Sequence, residues 1–125
     1  MLIIYDSRTG NVERFINKLE LSHVQKIKEE LKVNEDFILI TYTTGFGQVP
    51  ETTTTFLNNN SEHLKAVAVS GNRNWGMSYG KAGDTISQQY EVPLLLKFEL
   101  SGTKKDINTI TQEVLRFDRN ATEMD

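Results

Sequence analysis

Two hydrophobic periods alternate along the chain, and they divide it into elements. Leu2-Ile3-Ile4-Tyr5 is a continuous apolar run, the pattern of a strand covered on both faces. Val12, Phe15, Ile16 and Leu19 then fall at i, i+3, i+4 and i+7, one stripe of an amphipathic helix. Phe37-Ile38-Leu39-Ile40-Thr41-Tyr42 and Ala66-Val67-Ala68-Val69 predict two further strong strands. Residues 24–27 predict a weak strand and residues 93–100 a last one. Pro50 reads as the first position of a helix reaching Leu57, with Val49, Phe56 and Leu57 facing inward. The four threonines at 52–55 are poor helix formers, so that helix must rely on packing. Ala82, Ile86 and Tyr90 mark a third helix, and Ile107, Ile110, Val114 and Phe117 a fourth. The polar residues 119–125 are expected to fray.

Five strands alternating with four helices predict right-handed crossovers and a parallel α/β sheet with helices on both faces. The 125 residues and 14.3 kDa suit one domain over residues 1–125. Open sheets of this kind bind ligands outside the carboxyl ends of their strands. The chemistry is therefore expected in the loops after the first, third and fourth strands.

Composition removes several classes of function. Fourteen Lys and Arg against seventeen Asp and Glu give a net charge of -3, without the basic excess of a nucleic-acid binder. There is no cysteine, which excludes disulfides, thiolate metal sites and a Cys nucleophile. No apolar run is long enough to span a bilayer, and no basic segment introduces a signal peptide. The expectation is a cytoplasmic domain. His23 and His63 lie outside the three loops, and no HExxH or Ser-His-Asp pattern recommends a metal site or hydrolysis. Lys26, Lys28, Glu29, Glu30 and Lys32 read as a solvated edge.

The first loop is Ser7-Arg8-Thr9-Gly10-Asn11, directly before a helix. Unsatisfied amides and the positive end of the helix dipole make such a place an anion site. Ser7, Thr9 and Asn11 can add hydrogen bonds; equally, Thr9 or Asn11 can serve as a helix cap. No GxxxxGK[ST] or GxGxxG pattern follows the first strand, and a monophosphate ester suits this loop better than a triphosphate. The second loop, Thr43-Thr44-Gly45-Phe46-Gly47-Gln48-Val49, can present backbone groups to a flat ligand, or it can be a turn with Phe46 tucked into the core. The third, Gly71-Asn72-Arg73-Asn74-Trp75-Gly76-Met77-Ser78-Tyr79-Gly80, carries the only tryptophan. Aromatics in a polar loop suit stacking on a planar ring, and Asn72 and Asn74 can read its polar edge; alternatively Trp75 folds back over the core. Together the loops favour one ligand with a phosphate at one end and an aromatic ring at the other.

The first loop resembles the phosphate loop of flavodoxin-like proteins. The segments from Thr43 to Pro50, from Ser70 to Gly76, and Phe98-Glu99-Leu100-Ser101-Gly102-Thr103 are similar in order and spacing to the NrdI family, the short flavodoxins of class Ib ribonucleotide reductase systems. The resemblance runs to about Val114 and implies a flavodoxin-like three-layer sandwich with strand order 2-1-3-4-5. It implies FMN as cofactor, its phosphate on the loop from Ser7 to Val12 (Ser7, Arg8, Thr9, Gly10, Asn11 and Val12). The isoalloxazine would then lie between Thr43, Thr44, Gly45, Phe46 and Gly47 on one side and Gly71, Asn72, Asn74, Trp75 and Tyr79 on the other. The partners it implies are the reductase's small subunit, an electron-supplying reductase and dioxygen. Superoxide from reduced flavin would serve assembly of a dimanganese-tyrosyl radical cofactor.

Two expectations belong to this chain's own residues. The windows 43–51 and 71–84 hold Glu51 and Asp84 against Arg73 and Lys81, a neutral rim. Electron-carrier flavodoxins, by the wider resemblance, ring their flavin with acids that oppose its anionic reduced form, so full reduction is expected to be easier here. Gly45 is the expected contact of flavin N5, its glycine permitting a peptide flip. A phosphoacceptor receiver domain shares the topology but needs an aspartate where Thr41-Tyr42-Thr43 stands. A general flavodoxin-type electron carrier and a cofactor-free interaction module would share the same fold and pattern.

Overall fold

The computed structural model describes residues 1–123, with side chains to Asn120. The elements run β1 (Leu2–Tyr5), α1 (Asn11–Leu19), β2 (Val24–Lys26), β3 (Phe37–Tyr42), α2 (Glu51–Asn60), β4 (Leu64–Gly71), α3 (Lys81–Tyr90), β5 (Leu94–Glu99) and α4 (Lys104–Glu123). Short 3₁₀ segments at Ser61–His63 and Arg73–Ser78 interrupt the connections around β4. The five strands form one parallel sheet in the order β2-β1-β3-β4-β5.

Strand alternation splits the apolar residues between two cores. Ile3, Ile38, Ile40, Ala66 and Ala68 join Phe15 and Ile16 of α1 and Ile110 and Val114 of α4. Leu2, Ile4, Phe37, Leu39 and Val67 join Phe56 and Leu57 of α2 and Ile86 of α3. A strand buried on both sides is apolar at nearly every position, which is why β1 and residues 37–40 of β3 read as unbroken runs. Phe15 of α1 stacks on Phe98 of β5 with ring centroids 4.0 Å apart, and both are fully buried. Each such burial stabilises the fold by roughly 1.5–3 kcal/mol.

The bounds differ from expectation at identifiable places. Pro50 is the residue before α2, its ψ of 142° extended, and its carbonyl accepts from Thr54 N at 2.9 Å. At its other end α2 passes Leu57 to Asn60. There the buried Asn60 amide accepts from Val33 N and donates to Leu31 O, pinning the long β2–β3 connection. β4 is longer than its apolar stretch because both neighbours pair with it. β5 stops before Leu100, whose φ of 54° is left-handed. α4 continues through Glu123, beyond the start of the expected fray at 119. Its Asp118 carboxylate pairs with the Met1 ammonium, tying the last helix to the start of β1. Met124 and Asp125, the end of that expected tail, lie outside the described residues. Lys26, Lys28, Glu29, Glu30 and Lys32 are all exposed. No helix among the described residues is long and apolar enough to cross a membrane.

Candidate functional site

The loops following β1, β3, β4 and β5 meet at the carboxyl edge of the sheet and enclose a cleft of about 310 Å³. Its base is the start of α1. Gly10 precedes that helix at φ 92°, with no side-chain cap of its own. Ser7 Oγ accepts instead from Glu13 N at 3.2 Å, which leaves the Ser7 hydroxyl proton available. Ser7, Arg8, Thr9, Asn11 and Val12 line this end. The first amides of a helix have no acceptor within it, so Asn11 and Val12 N–H are available to an anion. Arg8 makes no ion pair among the described residues. A second cation, Arg14, lies beside Gly10 and donates to Asn11 Oδ1 at 2.5 Å. Arg14 is hidden in the sequence because it sits inside α1; its place one turn after Gly10 is the signal that could have found it.

Directly before this loop, Asp6 is buried. Its carboxylate accepts from Thr52 Oγ1 at 2.5 Å and Thr53 Oγ1 at 2.7 Å, and Thr53 shares a further bond of 2.8 Å with Thr41. The threonines that weaken α2 by propensity thus tie its first turn to β1 and β3. Burial, then the charge on Asp6, pushes the Tyr42 hydroxyl above its ordinary pKa of 10.0.

Thr43, Thr44 and Gly45 form the middle wall of the cleft. Thr43 Oγ1 is buried there and has no hydrogen-bond partner among the described residues. A buried hydroxyl left unpaired costs about 1–3 kcal/mol, so a ligand that pairs it recovers that cost. Beyond it Thr44 and Gln48 bridge through two backbone bonds of 3.0 and 2.7 Å. Gly45 and Gly47, at φ 55° and 106°, close this turn with Phe46 at its tip, 88% exposed. Phe46 is neither in the core nor among the lining residues, and the buried Gly47 lies behind the wall against Lys81.

The far wall is Gly71, Asn72 and Trp75. Asn72 Oδ1 accepts from Asn74 N at 2.9 Å, and Glu99 accepts from Arg73 N at 3.2 Å, which winds residues 73–78 into their 3₁₀ turn. Ser78 Oγ donates to Phe46 O at 3.3 Å, joining the two upper loops. Trp75 is 45% exposed and lines the cleft. Asn74 and Tyr79 do not line it. Tyr79 packs against Gly71 with Arg73 over its ring at 5.8 Å, and its hydroxyl is buried without a partner among the described residues. The expected pair of aromatic neighbours is therefore reduced to Trp75 at the cleft surface. Tyr42, Ser70, Ser78 and Leu100 also line the cleft, none of them among the residues expected to hold the ligand. Tyr42 and Ser70 stand at strand ends, where the carboxyl-edge rule is the usable signal.

The arrangement offers amides, hydroxyls and two arginines at one end and a glycine-shaped slot beside an indole at the other. Around its mouth the acids are few, and Asp84 is held by Lys97 at 2.6 Å. Among the described residues no three His, Asp or Glu side chains gather as a metal site.

A model of the family described as "NrdI Flavodoxin like" matches residues 3–112. "Protein NrdI" of Bacillus licheniformis is 54% identical over 114 residues, covering 91% of this chain and 87% of that protein. "SPbeta prophage-derived protein NrdI" of Bacillus subtilis (strain 168) is 49% identical over 124 residues, 97% of this chain and 96% of that one. Among solved structures, a short-chain flavodoxin associated with a non-canonical PDU bacterial microcompartment superposes with a TM-score of 0.65 at 18% identity, over 90% of this chain and 93% of that chain. That likeness speaks for the fold alone, a flavodoxin-like parallel sheet. The family match and the two relatives together establish that this chain belongs to the NrdI flavodoxin-like family.

Proposed function

We propose that the cleft binds FMN and that the holoprotein serves a class Ib ribonucleotide reductase. The observation that carries the cofactor reading is the unpaired, buried Thr43 hydroxyl, set in a wall between a helix N-terminus and Trp75. Family membership supports the same choice. FMN supplies one- and two-electron transfer when bound. The phosphate is held by Ser7, Thr9 and the amides of Asn11 and Val12, with Arg8 and Arg14 adding positive charge. Thr43, Thr44 and Gly45 bound the flat end, and Trp75 shields it from water. Arg73 and Lys81 balance Glu51 and Asp84 in the two upper loops, so little net negative charge opposes full reduction.

In this reading the protein takes electrons from a reductase. It delivers reducing equivalents, or superoxide formed from dioxygen, to the small subunit for assembly of a dimanganese-tyrosyl radical cofactor. The test is photoreduction of the FMN-loaded protein with a class Ib small subunit and manganese, followed by admission of air. A tyrosyl radical in the electron paramagnetic resonance spectrum is the expected result. Normal flavin reduction and reoxidation with no radical would leave a general flavodoxin-type electron carrier as the better description.

A further inference from the structure

One peptide in the cleft wall is unrestrained by hydrogen bonds. In the turn from Thr44 to Gln48, Thr44 O accepts from Gly47 N at 3.2 Å and Gln48 N at 2.7 Å, and Thr44 N donates to Gln48 O at 3.0 Å. Phe46 O accepts from Ser78 Oγ. Gly45 O and Phe46 N, the two polar ends of the Gly45–Phe46 peptide, have no partner among the described residues. Gly45 lines the cleft at φ 55°, and a glycine leaves the following peptide free to turn over.

What stands against that peptide is the side chain of Gln48. A Cβ added to Gly45 would meet Gln48 Oε1 at 1.9 Å and Cδ at 3.0 Å, so the amide lies directly on the face of the Gly45 α-carbon. The same amide makes no hydrogen bond among the described residues, although Gln48 is exposed. Laying a flexible glutamine down costs side-chain entropy. The fold of the turn does not require it, because the backbone bonds between Thr44 and Gln48 already close the loop.

The geometry points to Gln48 as a positioning residue. Its amide, packed across Gly45, holds the Gly45–Phe46 peptide in one orientation and keeps the wall preformed for the flat end of the ligand. The ligand half of this statement rests on the FMN reading above; the restraint on the peptide does not. A protein whose competent wall is only fractionally populated binds more weakly by that fraction.

The experiment pairs ¹⁵N relaxation dispersion of the Phe46 and Gly47 amides in the FMN-free protein with FMN titrations of the same samples. In the parent protein these amides are expected to show no millisecond exchange. Gln48→Ala sets the Phe46 amide in exchange and raises the FMN dissociation constant about fivefold, with an unchanged melting temperature. Gln48→Met, which restores the bulk over Gly45, restores both readouts. Should Gln48→Ala shift resonances beyond the turn, Gln48→Asn, one carbon shorter, gives the same reading. A quiet Phe46 amide in Gln48→Ala, or an FMN affinity within twofold of the parent, overturns the positioning role. If no variant binds FMN while Gln48→Ala still mobilises Phe46, the proposed function fails and the restraint on the peptide stands.

Discussion

Phe15, Phe37 and Phe98 are wholly buried, while Phe46 is 88% exposed in company with Trp75 and a fully exposed Met77. The first group lies on elements whose faces are covered by the sheet or by helices, so burial follows from the alternation of the strands. The second group sits on two loops tied together by Ser78 and Phe46, with glycines on either side of Phe46 and one after Trp75. Apolar side chains on such tips contribute little to the fold, and their purpose must be sought in what the loops touch. The comparison separates a scaffold that holds the sheet from loop tips that leave apolar side chains in solvent beside the cleft.

The contrast breaks most visibly through stability. Phe15→Ala is expected to lower the unfolding free energy by about 3–5 kcal/mol, and Phe46→Ala to change it by no more than about 0.5 kcal/mol. Urea denaturation of both variants measures this, and similar losses would erase the distinction. Next in size is Asp6→Ala, which removes the buried carboxylate that accepts from the Thr52 and Thr53 hydroxyls. A loss of roughly 1.5–3 kcal/mol is expected by the same measurement.

Thr43→Val sharpens the comparison, because stability and binding should part company. Removing an unpaired buried hydroxyl leaves the free protein as stable as before or slightly more so. FMN binding is expected to weaken about tenfold, or ~1.4 kcal/mol, read by fluorescence titration beside thermal denaturation. The smallest effect concerns pH. Tyr42 keeps its proton in the folded protein above the pKa of about 10 that the unfolded chain shows. Stability tied to it is intact below about pH 10 and falls as pH rises through the folded-state value. Tyr42→Phe should flatten part of that alkaline decline in denaturation midpoints. Tyr5 is also raised, by burial and then by Glu13, and it retains the remainder.

Much of the scaffold was legible in the residue pattern. Unbroken runs such as Ile38-Leu39-Ile40 fit a doubly covered strand, and Val12, Phe15, Ile16 and Leu19 fit one helical face. The three loops of the site followed from the parallel sheet. Other features depend on contacts between distant segments. The 3₁₀ turn after β4 needs the Asn72 side chain and Glu99 of β5. The end of α2 needs Asn60 to bond across to Leu31 and Val33. Whether Phe46 pointed inward or outward could not be read from Gly-Phe-Gly, since both glycines permit either. Tyr79 looked like Trp75 in sequence, and only the packing of its ring behind Gly71 separates them.

The central claim, that this cleft takes FMN between the α1 N-terminus and Trp75, is tested most directly by titrating FMN with the metal-free, flavin-free protein and following flavin fluorescence. Saturable quenching at a one-to-one ratio, with a dissociation constant of about 1 μM or tighter, is the predicted result. Fluorescence that stays unchanged up to about 1 mM protein would contradict the account.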